Sequence, residues 1–441
     1  MIVLLYACVN TNKSEFGANG WIFMSQLMGN KNKGVQQLPL QDIRVVDFGQ
    51  GVAGPYCGML LADHGATVIK VEPPRGDWGR QMGTAFGDNS STSISMNRNK
   101  QSIVIDFTDP RGLELAHELV AWSNVVVENF RPDVMNRLGL GFDALSVGRS
   151  NLVFCSVNGF GPGGPYAAHP AGDSIAQPMG GLMSIIGRAD DPPMRVGNVV
   201  GDMLAGMNAF QGILLGLRQV ENGAGCQRIN VSLLESILAF QTPTFTEYLM
   251  TGVLPKRVGN DHPLISPSGA YATSDGFVYF TVINYKWEIF CETMGLLPLL
   301  SDPRFIDHAG RMAHREALNA IVAEVFLPKT TASCLVDLQK VGIPSSRINN
   351  YADVMNDPQV VHNEVFRQEP HSTQGSLPVV KSPVILFGEK IPYSHPPGLG
   401  EHSRSALSAY LGYQESKISE LIDAGVVHDG NTSNLKKKEI S

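Results

Sequence analysis

The sequence predicts an α/β protein built on a doubly wound parallel sheet (Rossmann-like), with a smaller α+β domain attached. Three observations lead there: β-branched runs alternating with helical patterns from residue 43 to about 240, a Gly- and Pro-dense interruption over 159–198, and a change of pattern after residue 260. Strands that alternate with helices require parallel pairing and right-handed crossovers.

The first strand is IRVVDF at 43–48, followed by a helix through Cys57 and Leu61 and by ATVIKVE at 66–72, which completes a βαβ unit. SIVIDF at 102–107 leads into a helix that opens with Asp109 as N-cap and Pro110 at its first position, where a missing N–H costs nothing. NVVVE (124–128), a helix through Met135 and LVFCSV (152–157) extend the alternation. Residues 159–198 hold too much Gly and Pro for long regular elements and suit site-building loops. Met203 to Val220 then reads as a Gly/Ala/Met-rich helix that must pack closely on its neighbours. Beyond 260, GAYATSDGFVYFTV predicts a hairpin turning at Ser274, Asp275 and Gly276, with helices near 285–295 and 311–326.

The expected organisation is an N-terminal extension over 1–37, the first part of a large α/β domain over 38–240, and a linker with the small α+β domain over 241–370. Residues 371–412 return to the large domain, and 413–441 form a C-terminal helix and a disordered tail. The opening MIVLLYACV lacks the charged start of a signal peptide and is too short to span a bilayer, so an over-long start, with Met24 or Met28 as the true beginning, is the simplest reading. No internal repeat is visible.

A chain of 441 residues exceeds what one hydrophobic core serves, and 43% hydrophobic with 17% charged residues describes a folded protein. The net charge of −7 and pI near 5.9 argue against nucleic-acid or anionic-membrane partners, which demand a basic excess. A phosphate-bearing small ligand could still be held by local basic residues. The six cysteines are scattered without metal-binding spacing, which suits reduced thiols, a cytoplasmic location and no metal.

Two motifs compete for the chemistry. Gly49-Gln50-Gly51-Val52-Ala53-Gly54 follows a strand, opens a helix and has Glu72 at the end of the next strand, the spelling of a dinucleotide fingerprint. The bland alternative is a glycine-eased turn, and Pro55 with Pro73-Pro74 makes the surroundings unlike those of a nicotinamide site. An anion at the helix N-terminus remains the expectation. The second motif is Gly201-Asp202 at the start of the Met203 helix, where free N–H groups would lower the pKa of the carboxyl. An Asp before a helix is most often a cap, but the preceding glycine leaves room for a ligand.

VVDFGQGVAGPYCGMLLADHGATVIKVEPPRGDWGR, SISMNRNKQSIVIDFTDPRG, VVVENFRPDVMNRLGL, SVNGFGPGGPY, VGDMLAG and GCQRINVSLLES together resemble the class III CoA-transferases, among them formyl-CoA and carnitine CoA-transferases. The resemblance spans roughly Leu38 to Gly412. It implies transfer of CoA from an acyl-CoA to a carboxylic acid, with Asp202 as the nucleophile that forms an aspartyl anhydride and thioester, and with CoA as substrate rather than a permanently bound cofactor. The CoA-contacting positions it implies are Val52, Ala53, Asp106, Phe107, Thr108, Asn129, Phe130, Arg131 and Arg137, the last a permanent cation for a phosphate. It also implies an interlocked homodimer.

Val52 and Pro73 depart from the formyl-CoA branch, and its glycine-rich substrate loop is replaced by RVGNDHP at 257–263, which points away from formyl-CoA and oxalate. The related α-methylacyl-CoA racemases carry a His-Asp pair where this chain has Gly172-Asp173, with His169 three residues earlier. A racemase, an NAD-dependent oxidoreductase and a non-catalytic CoA-binding protein are the rival readings. Backbone N–H groups of the Gly159–Gly164 loop are candidates to stabilise oxyanions.

Overall fold

The computed structural model describes residues 38–371, 375–384, 386 and 392–430. The expected N-terminal extension and tail lie outside the described residues, as do 372–374, 385 and 387–391 of the expected return segment 371–412. The large domain alternates strands and helices in chain order: β1 (Arg44–Asp47), α1 (Ala53–Asp63), β2 (Thr67–Glu72), β3 (Gln101–Ile105), α2 (Pro110–Trp122), β4 (Val125–Glu128), β5 (Val153–Asn158), α3 (Asp173–Met179), α4 (Val200–Glu221), β6 (Gln227–Ser232) and α5 (Leu233–Phe240). Asp109 caps α2 by accepting the Arg111 N–H, with Pro110 at the first position, as its sequence signals.

Six of these strands pair in parallel, and a short antiparallel strand near the C-terminus, at Val427–His428, closes the β3 edge. The order, with that edge strand first, is edge strand, β3, β2, β1, β4, β5, β6. The central strands β1, β2, β4 and β5 are buried almost throughout because both faces of the sheet are covered there. Val45, Val68, Val125, Val127, Val153 and Cys155 pack under α1, α4 and α5. Val46, Ile69, Ile103, Val126 and Phe154 face the opposite way, with Leu115 and Leu119 of α2 and with Leu407, Ile418 and Leu421 from helices Ser403–Leu411 and Glu415–Asp423.

A third core belongs to the segment between. Hairpin strands Ser268–Thr273 and Gly276–Thr281 pair with Ser345–Arg347, and Phe280, Phe290, Phe305 and Phe326 fill the space under the surrounding helices. The chain then makes a second hairpin, Phe366–His371 with Gly375–Val380, and the latter strand packs on the short helix Ser91–Met96 of the large domain. The chain finally re-enters the large sheet.

Helix α4 is long and apolar enough to cross a bilayer by length and composition, at 22 residues with mean hydropathy 1.2. Its Ala205, Ala209 and Ile213 lie instead in the core above the sheet. The glycines on α4 explain the close approach: a Cβ at Gly212 would come within 2.9 Å of Ile229, and one at Gly206 within 2.8 Å of the Ala53 carbonyl. The start of α4 is thereby held against the start of α1.

The loop entering α1 rests on buried charges. Lys70 Nζ lies 2.8 Å from Asp77 and donates to the Gly49 carbonyl at 2.7 Å. Lys100 Nζ lies 2.8 Å from Asp47, and Arg80 binds both oxygens of Glu72 at 2.6 and 2.7 Å. Burial pushes Lys100 down to about 8, with Asp47 opposing the shift and Lys70 adding to it. For Glu72 burial is outweighed by Arg80, which holds the carboxyl at about 2.

Removing one partner of such a pair strands the other charge, so Lys70→Met should destabilise the fold by about 3–5 kcal/mol in guanidinium unfolding. Arg218→Met breaks a fully surface-lying pair with Glu221 and should cost less than about 1 kcal/mol. Equal effects in the two variants would remove the structural role assigned to the buried charges.

Candidate active site

Because β1 leads outward to β2 and β3 on one side while β4, β5 and β6 lie on the other, the crevice between β1 and β4 is the sheet's switch point, where ligands of open α/β sheets bind. The loops leaving β1, β3 and β4 and the first residue of α1 carry eight of the nine CoA positions implied by the resemblance, and Arg137 stands on the short helix that follows the β4 loop. Asn129 ties two of these loops together: its side chain accepts the Gln50 N–H at 2.7 Å and donates to the Gln50 carbonyl at 2.8 Å. Val52 and Ala53 are buried at the start of α1. Phe130 and Arg131 line a cleft with Glu128, Asn158, Phe142 and Arg228.

The remaining positions are more separate. Asp106 accepts from the Thr108 N–H (2.9 Å) and hydroxyl (2.7 Å), and Phe107 sets its ring edge on Phe48. Arg137 ends the helix Val134–Arg137 in an exposed position and is not among the residues that line the Phe130 cleft.

The glycine motif is not an anion cradle built from its first three amides. Asp47 accepts the Gly49 N–H at 2.8 Å, Asn129 that of Gln50, and Asp77 that of Gly51 at 2.7 Å. A Cβ on Gly51 would strike the Trp78 indole at 2.0 Å, so that ring lies directly against the loop. Glu72 is occupied by Arg80 and by the Ser102 hydroxyl at 2.7 Å rather than facing a ribose. Side chains folded back from Asp47, Asp77 and Asn129 consume those three N–H groups, so an anion here would be held by the amides that follow them, at Val52, Ala53 and Gly54 where α1 begins.

Asp202 differs from expectation in two respects. Helix α4 begins at Val200 rather than Met203, with Val199 in the cap position and no side-chain cap, so Asp202 is the third helical residue and not an N-cap. The helix starts early because Asp173, reaching over from α3, accepts the Gly201 N–H at 2.7 Å. The carboxyl of Asp202 is also not acidified by the helix start. Burial, reinforced by the Asp173 charge, raises it to about 7. Since i and i+4 share a helix face, Asp202 lies one turn above the Gly206 contact with Ala53, which places it at the entrance of α1.

Asp173 is the residue that sequence reasoning undervalued. Its second oxygen accepts from Gln177 at 2.7 Å and pairs with Arg195 at 3.1 Å. No histidine is among these partners, and His169 stands exposed against the Tyr166 ring at 5.4 Å. In the glycine loop, Gly161 and Gly164 adopt φ of 101° and 95°, and Gly161 gives its N–H to Asn158 at 2.5 Å. RVGNDHP packs on the segment that precedes α4: Gly259 donates to the Gly187 carbonyl at 2.9 Å, and Arg257 binds the carbonyls of Arg188, Ala189 and Asp191. The signal for Asp173 was an acid in the first turn of a helix. Arg195 was signalled only by being a cation in an otherwise apolar PMRVG run.

Comparison with known proteins gives the same direction. A family model described as CoA-transferase family III matches residues 40–403. The succinyl-CoA:glutarate CoA-transferase of Mus musculus is 34% identical over 401 residues, covering 89% of this chain and 91% of that protein. The succinyl-CoA–D-citramalate CoA-transferase of Chloroflexus aurantiacus is 34% identical over 392 residues, covering 87% and 96%. A solved CAIB/BAIF family protein from Brucella suis superimposes with a TM-score of 0.77 at 32% identity, over 85% of this chain and 99% of that one.

The Asp202 shift carries a definite sign. Its folded pKa of about 7 exceeds the ordinary 3.8, so the native state holds this proton more tightly than the unfolded chain. Stability contributed by the protonated acid is present below about 4 and is lost as pH rises towards about 7. Asp202→Asn should therefore gain stability over the wild type between pH 5 and pH 8 in denaturant titrations. A gap that does not change with pH would show that the carboxyl is not perturbed.

Proposed function

From the premise that this chain belongs to CoA-transferase family III, we propose that it moves CoA from a dicarboxylic acyl-CoA to a carboxylic acid, with Asp202 as covalent nucleophile. The observation that carries this reading is the placement of Asp202: partly buried, beside a second carboxylate, and one helical turn from the start of α1 at the switch point.

The ionised Asp202 attacks the thioester carbonyl of the donor, forming an acyl-aspartyl anhydride and releasing CoA thiolate. The thiolate attacks the aspartyl carbonyl, giving an aspartyl-CoA thioester and freeing the donor acid. The acceptor carboxylate then attacks this thioester, regenerating an anhydride and the thiolate. Attack of the thiolate on the acceptor's acyl carbon yields the new acyl-CoA and restores Asp202. Each step exchanges one acyl bond for another, so one difficult transfer becomes four easier ones. Desolvation that raises the pKa also leaves the ionised carboxylate less shielded by water.

The names of the relatives support the substrate class: the mouse protein is named for succinyl-CoA and glutarate, the Chloroflexus protein for succinyl-CoA and D-citramalate. In this reading the CoA moiety runs along the loops after β1, β3 and β4, against Val52, Ala53, Asp106, Phe107, Thr108, Asn129, Phe130 and Arg131, and towards Arg137 on the helix beyond. Against a racemase, Asp173 has Gly201, Gln177 and Arg195 as partners in place of a histidine. Against an NAD enzyme, the first three fingerprint amides are already bonded and Glu72 is held by Arg80 and Ser102 rather than free for a ribose. Buried free thiols at Cys57, Cys155, Cys291 and Cys334 suit a reducing compartment such as the cytoplasm.

The active form is an interlocked homodimer. Helix Thr242–Thr251 buries none of its residues within the protomer, and Leu249 and Met250 are 79% and 80% exposed. Such an apolar face needs a cover, and a second copy of the chain supplies it. Sedimentation at nanomolar concentration should show no active species near 47.7 kDa. A folded, active monomer would overturn the interlocking.

Asp202→Ala should abolish transfer while leaving CoA affinity within about tenfold, since a nucleophile serves the chemistry more than ground-state binding. Incubation with succinyl-CoA should add a mass to the wild type that hydroxylamine removes, and none to the variant. In the free enzyme, kcat/KM should rise with pH through about 7. A variant retaining more than a few per cent of the rate would sink the assignment.

A further inference from the structure

Resting on the reading of Asp202 as nucleophile towards diacid substrates, we propose that Arg195 binds the distal carboxylate of the acyl group and thereby selects dicarboxylic over monocarboxylic acids. Its placement follows from one shared partner. Asp173 Oδ1 accepts the Gly201 N–H at 2.7 Å, and Asp173 Oδ2 holds Arg195 Nη2 at 3.1 Å. The guanidinium and the helix start that carries Asp202 are thus fixed by the two oxygens of a single carboxylate.

The segment bearing Arg195 is anchored. Val196 donates its N–H to Gln177 Oε1 at 2.9 Å, and Gln177 Nε2 donates to Asp173 at 2.7 Å and to the Asn198 carbonyl at 3.2 Å. The guanidinium itself keeps donors to spare: its side chain is 52% exposed, and its contact with Asp173 engages one of the five N–H groups that an arginine offers. Arg257, on the neighbouring loop, is by contrast committed to three backbone carbonyls.

Electrostatics give the arrangement its selectivity. Asp173 and Asp202 already repel each other, and a bound diacid brings a third negative charge to the same opening. A planar guanidinium meets a carboxylate with two parallel hydrogen bonds and offsets that charge. A monocarboxylic acyl chain ends in a methyl group and gains nothing from it.

Succinyl-CoA and butyryl-CoA have equal chain length and differ in that terminal group, so they make a direct test as donors for the full-length protein at pH 8. Arg195→Gln should lower kcat/KM for succinyl-CoA by roughly 10- to 100-fold, mostly through KM, and leave butyryl-CoA within about threefold. Arg195→Lys should fall between for succinyl-CoA, and thermal melts of both variants should match the wild type. Equal loss for both donors would mean that Arg195 acts by holding Asp173, and an unchanged succinyl-CoA value would mean that it does not meet substrate; either result overturns the proposal. Failure of the underlying reading looks different: the wild type itself would transfer CoA from neither donor.

Discussion

Six charges buried beneath the β1–α1 loop are the constraint on which the site depends. Lys70, Lys100 and Arg80 are matched by Asp77, Asp47 and Glu72, all nearly removed from solvent. Burying ions costs several kcal/mol each, and the cost is met only where every charge has a partner and further hydrogen bonds. Here the further bonds go to the backbone of one loop: Asp47 takes the Gly49 amide, Asp77 takes that of Gly51, and Lys70 takes the Gly49 carbonyl. The fixed loop sets where α1 begins. The Ala53 carbonyl then meets Gly206 of α4, and α4 carries Asp202, so a charge cluster on one side of the sheet locates a carboxyl on the other chain segment.

Much of the architecture could be read from the sequence because it depends on local pattern. The β-branched runs became β1 to β5, Asp109-Pro110 opened α2, and the Ser274-Asp275 turn joined a real hairpin, whereas β6, with Gln227, Arg228 and Asn230, carries no such run. Motif resemblance singled out Asp202 as a residue but not its state. A helix start argues for an acidic carboxyl, whereas the observed shift comes from burial and from Asp173, a residue 29 positions earlier whose contact only the fold creates. The first half of the glycine motif was illegible for the same reason. GQGVAG spells free amides, and nothing local says that Asp77 and Asn129 will take them. Lys70 within β2 and Lys100 just before β3 look like ordinary lysines until their carboxylates arrive from other elements.

Placing Asp202 against Asp173 biases the energetics in a useful direction. The ionised resting carboxylate is destabilised by burial and by its neighbour, while the anhydride and the thioester at Asp202 carry no charge at that atom. Acylation therefore relieves repulsion that the free enzyme carries, which favours the covalent states relative to the resting one. Asp173 also explains why α4 starts where it does, since its Oδ1 satisfies an otherwise orphaned helix amide, that of Gly201. Stability of the helix start and reactivity of the carboxyl share one acidic residue.

The edge strand at Val427–His428 has a consequence for how the protein is made. It pairs with Val104 and Ile105, more than 300 positions earlier, and the Val426 carbonyl accepts the Asp106 N–H. While the chain is emerging from the ribosome, β3 is a sheet edge rich in isoleucine and valine, with the backbone donors and acceptors on its side away from β2 unpaired. The small domain and both hairpins must be translated before the partner strand appears, a delay on the order of tens of seconds at ordinary elongation rates. Until then that edge stays open to pairing with another chain, and truncation before residue 427 leaves it unpaired on an otherwise complete sheet.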